Sequence, residues 1–187
     1  MLRIQPQSII TDSTDHYRLR CEGKNGHLEY TFSITWTGEV GVLNCDQREF
    51  YFDTHDDPAT KLLLNAIDMF DEARRSGSIK PLCLMADHPR PGEQDNRYKV
   101  RFLTDTGEAE GTATIQDVDM EDQSIPLLVG DSKFLEFSDG DPAADHLRSS
   151  IFALHKARHF NYVEETKAKD IIRPSQSDTD ASKRASA

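Results

Sequence analysis

Apolar and polar residues alternate over 16–22, His-Tyr-Arg-Leu-Arg-Cys-Glu, which predicts a strand. Lys24-Asn-Gly26 follows as a hairpin turn signal, because Asn-Gly tolerates the positive backbone angles of a tight turn. Alternation resumes over 27–36 and puts Leu28, Tyr30, Phe32, Ile34 and Trp36 on one face. Glu29, Thr31, Ser33, Thr35 and Thr37 fall on the other, which suits water. After a turn at Thr37-Gly-Glu39, a third strand is expected in two pieces, 40–43 and 49–52. The period then changes. Leu62, Leu63, Ala66, Ile67, Phe70 and Ala73 recur at helical spacing and predict a helix from 58 to about 75. Asp57 is placed to cap it, and Pro58 occupies the first position, where its missing N–H costs nothing. Arg74 and Arg75 suit the C-terminal end, and Gly77 stops it.

The same order returns further on. Residues 79–86 are apolar and read as a short linking strand, and the polar run 89–96 reads as a connector. Strands are expected at 97–103 and 109–117, joined by a turn at Asp105-Thr-Gly107. An acidic loop, Asp117-Val-Asp-Met-Glu-Asp122, leads to a third strand in two pieces, 125–129 and 133–137. A second helix should run from 142 to about 159, with Leu147, Ile151, Leu154 and Ala157 facing inward.

Identity accompanies this order. At an offset of 81, residues 17–36 share six of 20 positions with their counterparts, among them Tyr17/Tyr98, Arg20/Arg101 and Ile34/Ile115. At an offset of 84, residues 50–75 share eight of 26, among them Asp57/Asp141, Leu63/Leu147, Ile67/Ile151 and Arg74/Arg158. A repeat of this period points to a duplicated half-domain rather than a solenoid. The expected fold class is α+β. An internally duplicated βββα module forms an antiparallel sheet of about six strands, with two helices packed on one face. The first module covers 1–86, the connector 87–96 and the second module 97–162. Residues 163–187 are expected to be a disordered tail, since 174–187 contain no large apolar residue to offset the entropy of ordering. The uncovered sheet face is a candidate binding surface.

Charge sharpens the picture. The net charge is −11, and residues 105–145 hold 12 acids against one base, Lys133. Such a field repels nucleic-acid phosphates and anionic membrane, and attracts basic surfaces. The N-terminal residues lack the apolar run of a signal peptide, and no stretch approaches 18 apolar residues, so the expectation is a cytoplasmic protein with no membrane association. Cys21, Cys45 and Cys83 have no metal-ligand spacing and read as reduced thiols.

Candidate chemistry is sparse. His155 and His159 have the i, i+4 spacing of metal ligands, but no third ligand is evident, and they read as histidines flanking a helix C-terminus. Asp53, His55, Asp56 and Asp57 precede the first helix, and Asp139, Asp141 and Asp145 attend the second. Capping and surface charge account for both groups. Arg18, Arg20, Lys99 and Arg101 alternate on strands as a solvated face. No phosphate-binding glycine loop or nucleophile elbow occurs. No catalytic residue, cofactor or metal is therefore assigned.

The expected function is that of a non-enzymatic acidic binding protein, of the immunity or inhibitor type, that neutralises a basic protein partner. Asp117, Asp119, Glu121, Asp122, Asp139 and Asp141 would steer the encounter, and Met120 would be an apolar contact. Three alternatives stand beside it. One is a nucleic-acid mimic that inhibits a defence nuclease. Another is a ligand-binding or enzymatic site between the modules, involving His16, His27 or Cys21. The last is an assembly subunit, a homo-oligomer formed through sheet edges.

Overall fold

A computed structural model describes residues 5–23, 26–37, 40–46, 57–120, 123–138 and 140–160. Its elements are β1 (Gln5–Ser13), β2 (His16–Gly23), β3 (Gly26–Thr37), β4 (Val40–Cys45), α1 (Pro58–Ser76), β5 (Lys80–Ala86), β6 (Arg97–Thr104), β7 (Gly107–Met120), β8 (Gln123–Gly130), α2 (Ser132–Ser138) and α3 (Ala143–Arg158). The strand piece expected at 49–52 and the tail at 163–187 lie outside the described residues.

The fold is α+β. The strands form one antiparallel sheet in the order β4-β3-β2-β1-β5-β6-β7-β8, and α1 and α3 pack side by side against one of its faces. The expectation of about six strands is therefore corrected to eight among the described residues. The central pair, β1 and β5, carries the difference. β1 has only two large apolar residues, Ile9 and Ile10, so its composition hides it. Ile9 is nevertheless fully buried opposite Leu84 of β5. Backbone pairing on both sides, to β2 and β5, holds this polar segment in the middle of the sheet. β5 is likewise a central strand rather than a linker.

A second correction concerns 133–137, which is helical. Asp131 accepts from the Phe134 N–H at 2.7 Å with one carboxylate oxygen and from the Thr112 N–H at 3.0 Å with the other. It thereby starts α2 and ties it to β7. Phe134 is buried over Gly111, where a Cβ would lie 2.8 Å from the Phe134 backbone.

On β3, Phe32 and Ile34 are buried while Glu29, Thr35 and Thr37 are exposed, as the alternation predicts. α1 is capped by Asp57, whose Oδ2 accepts from the Thr60 N–H at 3.0 Å. Leu63, Ala66, Ile67, Phe70 and Ala73 of α1 join Leu147, Ile151, Leu154 and Ala157 of α3 in the core. Where the helices meet, Ser150 Oγ donates to the Ala66 carbonyl at 2.7 Å.

Several contacts recur at the offsets found in the sequence. The Ile34 N–H donates to Asp15 O at 3.0 Å, and the Ile115 N–H to Asn96 O at 2.9 Å. The Arg74 guanidinium lies 5.7 Å from the Tyr17 ring centre, and that of Arg158 lies 5.9 Å from Tyr98. Gly26 and Gly107 both adopt positive φ, +115° and +121°, at the start of β3 and β7.

Candidate functional sites

Among the described residues, those expected to bind a partner do not form one cluster. Asp117 is exposed on β7, opposite Pro126 of β8. Asp119 and Met120 end the same strand, paired with Ser124 and Gln123. Glu121, Asp122 and Asp139 lie outside the described residues, as do Asp53, His55 and Asp56. Asp141 stands elsewhere. Its carboxylate accepts from the Ala143 N–H at 2.8 Å, Ser78 Oγ at 3.0 Å and the Ile79 N–H at 3.4 Å. Burial acts against its ionised form, but these bonds outweigh burial and hold its pKa below the usual carboxylate value. Asp141 thus binds the start of α3 to the start of β5. Asp117 instead acts on His155, near the far end of α3. At 1.5 Å per residue, the helix from 143 to 155 separates the two places by about 18 Å.

The β7–β8 hairpin carries a feature that the expectation of a strand at 125–129 did not single out. Ile125, Leu127 and Val129 are 48%, 53% and 40% exposed and share one face of β8, with Val118 of β7 exposed opposite Ile125. β8 is an edge strand, so this apolar row lies along the margin of the sheet. A row of large apolar residues at a rim marks a docking surface more often than scattered ones do. The signal in the sequence was a strand apolar on both faces.

The other margin of the helical layer holds a cleft of about 930 Å³. The β1–β2 turn supplies Thr14 and Asp15, the start of β2 supplies His16, β3 supplies Trp36, α1 supplies Arg74 and Arg75, and β5 supplies Lys80. Arg75 stacks on Trp36, 3.4 Å from the ring centre. Arg74 Nη1 donates to Ser13 O, Thr14 O and Tyr17 Oη, each at 3.2 Å. Behind it, Asp71 is buried and accepts from the Tyr17 hydroxyl and, at 3.1 Å, from Trp36 Nε1. Burial, and then the Asp71 hydrogen bond, raise the Tyr17 pKa, so the phenol stays protonated.

The corresponding corner of the second half is closed. Arg158 Nη2 holds both oxygens of Asp95, at 2.7 and 2.6 Å, and His159 Nε2 lies 2.7 Å from Asp95 O. Tyr98 Oη lies 2.8 Å from His155 Nδ1. His155 is not the charged flank residue its sequence position suggests. Burial, and then the charges of His159 and Arg158, push its pKa down to about 4, so the ring is neutral at pH 7.

On the uncovered sheet face, Arg18 and Arg20 pair with Glu29, and Lys99 pairs with Asp87. That face is laced with opposite charges. Cys21 and Cys83 are buried, and burial raises the pKa of both thiols. Among the described residues, no group of three or more His, Cys, Asp or Glu side chains is placed to hold a metal ion, and no helix is long and apolar enough to cross a membrane. The chain matches no protein-family model, no curated protein and no solved structure.

Proposed function

We propose that this is a non-enzymatic binding protein that captures a basic protein partner on the β7–β8 hairpin. The observation that carries the reading is the exposed row Val118, Ile125, Leu127 and Val129. It lies within the segment 105–145, where acids outnumber bases 12 to one. Acidic charge speeds and orients the encounter with a basic surface. The apolar row then supplies contact area whose burial holds the complex. Neutralisation or inhibition of the partner, as by an immunity protein, is the role this arrangement suits.

The assembly reading, in which β8 pairs edge to edge with a second copy, is less favoured by one residue. The Asp131 N–H donates across the ladder to Thr112 O. By alternation, odd positions of β8 face β7 and even positions face outward. Pro126 is therefore at an outward position and has no N–H to offer a further strand.

We also propose that the chain arose by internal duplication. The recurring contacts of Tyr17 and Tyr98 with Arg74 and Arg158 support it, as does the order of four strands and a long helix in each half. Each repeating unit then has four strands before its long helix rather than three.

Asp117, Asp119, Glu121 and Asp122 changed together to Asn or Gln test the binding reading. Association with the captured partner should slow by about tenfold at low salt, while dissociation changes little. An unchanged association rate contradicts it.

A further inference from the structure

The two corners differ at two places: Asp71 stands beside Tyr17 where His155 stands beside Tyr98, and the residue beside each arginine in the preceding turn differs as well. The recurring bonds Ile34 N–H to Asp15 O and Ile115 N–H to Asn96 O align residue 15 with residue 96. Thr14 is then the counterpart of Asp95. In the second half, Asp95 gives its carboxylate to Arg158. In the first, Thr14 has no carboxylate. Among the described residues, Arg74 finds only two carbonyls and a phenol oxygen, at 3.2 Å each, and it faces an open cleft. Arg75 and Lys80 line the same cleft beside the His16 ring, and Asp15 is its one acidic lining residue among the described residues. This is a concentration of cations in a chain whose net charge is −11.

Two simpler accounts cover part of this. Cations near a helix C-terminus are favourable in themselves, and Lys80 Nζ does donate to the carbonyls of Arg74 and Gly77, both at 2.6 Å. That explains Lys80. It does not explain Arg74, whose guanidinium reaches the β1–β2 turn rather than the end of α1. Asp71 also supplies negative charge nearby. Its two oxygens, however, serve Tyr17 and Trp36, and no ion pair joins it to Arg74 among the described residues.

We infer that the cleft binds a carboxylate, which takes at Arg74 the place that Asp95 fills at Arg158. Arginine suits this ligand because its planar fork matches two carboxylate oxygens. Arg75, whose guanidinium carbon lies 3.4 Å from the Trp36 ring centre, adds a second donor set to the lining. The carboxylate can belong to a small organic acid or to the side chain of an acidic peptide segment, and the shared chemistry is the same. The inference is independent of the hairpin reading, since the two surfaces share no residue.

Trp36 is the only tryptophan of the chain, so indole fluorescence reports on the cleft directly. The intact protein is titrated at constant ionic strength with sodium citrate and with an end-blocked Gly-Glu-Gly tripeptide, with sodium chloride as the control. The expected result is a saturable change with at least one carboxylate probe and none with chloride. Citrate alone identifies a free acid as the source, and the tripeptide identifies an acidic segment. Arg74→Gln should abolish the change. Thr14→Asp, at an exposed turn position that tolerates substitution, should install the internal carboxylate and weaken the response at least tenfold. Absence of a saturable response in the unmodified chain overturns the inference. So does an equal response in the Thr14→Asp chain.

Discussion

Arg158 and Asp95 form the tightest ion pair among the described residues, with one guanidinium nitrogen 2.7 and 2.6 Å from the two carboxylate oxygens. The Arg158 side chain is only 2% exposed. The same guanidinium reaches Gln7 Oε1 at 3.0 Å, so it fastens the end of α3 to both β1 and the segment before β6. Removing one partner of a buried pair leaves an uncompensated charge, which costs about 3–5 kcal/mol. Asp95→Asn should therefore lower the urea midpoint sharply without changing the slope of the transition. A loss below about 0.5 kcal/mol, as at an ordinary surface site, would mean that this corner does not hold the fold together.

His155 makes stability depend on pH. Its folded pKa of about 4 lies below the ordinary histidine value of 6.5, so the unfolded chain binds more protons between those values. The contribution of the neutral ring is fully present above pH 6.5. It is lost progressively as pH falls toward 4, and no further below that. In His155→Gln, which can still hydrogen-bond the Tyr98 hydroxyl, the fall in stability between pH 6.5 and 4 should be shallower than in the unmodified chain. Equal slopes in urea melts across that window would contradict the assignment.

Gly111 is needed for its lack of a side chain. A Cβ there would lie 2.8 Å from the Phe134 backbone nitrogen and Cα, and neither can move without shifting α2. Gly111→Ala should destabilise the chain by about 1–3 kcal/mol, as overpacking does. It should also speed amide exchange in residues 132–138. Normal stability in this variant would show that α2 can lift away from β7 at no cost.

The hairpin row should behave in the opposite way. Leu127 is 53% exposed, so Leu127→Ser should leave thermal stability within about 0.5 kcal/mol of the unmodified chain. Calorimetry decides the point. A clear loss of stability would assign Leu127 to the core and remove it from a docking surface.

Much of the framework could be read from the chain, for reasons visible in particular residues. The faces of β3 and of both long helices followed from periodicity because one side of each is buried and the other wet. β1 could not be read this way, because its place at the centre rests on backbone bonds around the polar stretch Gln7-Ser8. α2 was hidden because Phe134 and Phe137 lie three apart within a segment short enough to pass for a strand. Of the expected site residues, Asp141 has the capping contact its place before the helix suggests, while its bonds to Ser78 and Ile79 come from a segment too distant in sequence to be foreseen. The cleft at Arg74 was half legible. The identity of Arg74 with Arg158 is visible in the chain, but the difference of Thr14 against Asp95 lies three residues before the aligned window.

The central claim is that the β7–β8 hairpin captures a basic partner. The most direct test is capture from the native lysate at low and high salt, with the tagged chain and an Ile125→Ser, Leu127→Ser double variant compared side by side. The account predicts a basic protein that is retained by the unmodified chain at low salt, weakened by high salt and lost from the variant. Retention of the same proteins by both chains, or of none by either, would contradict it.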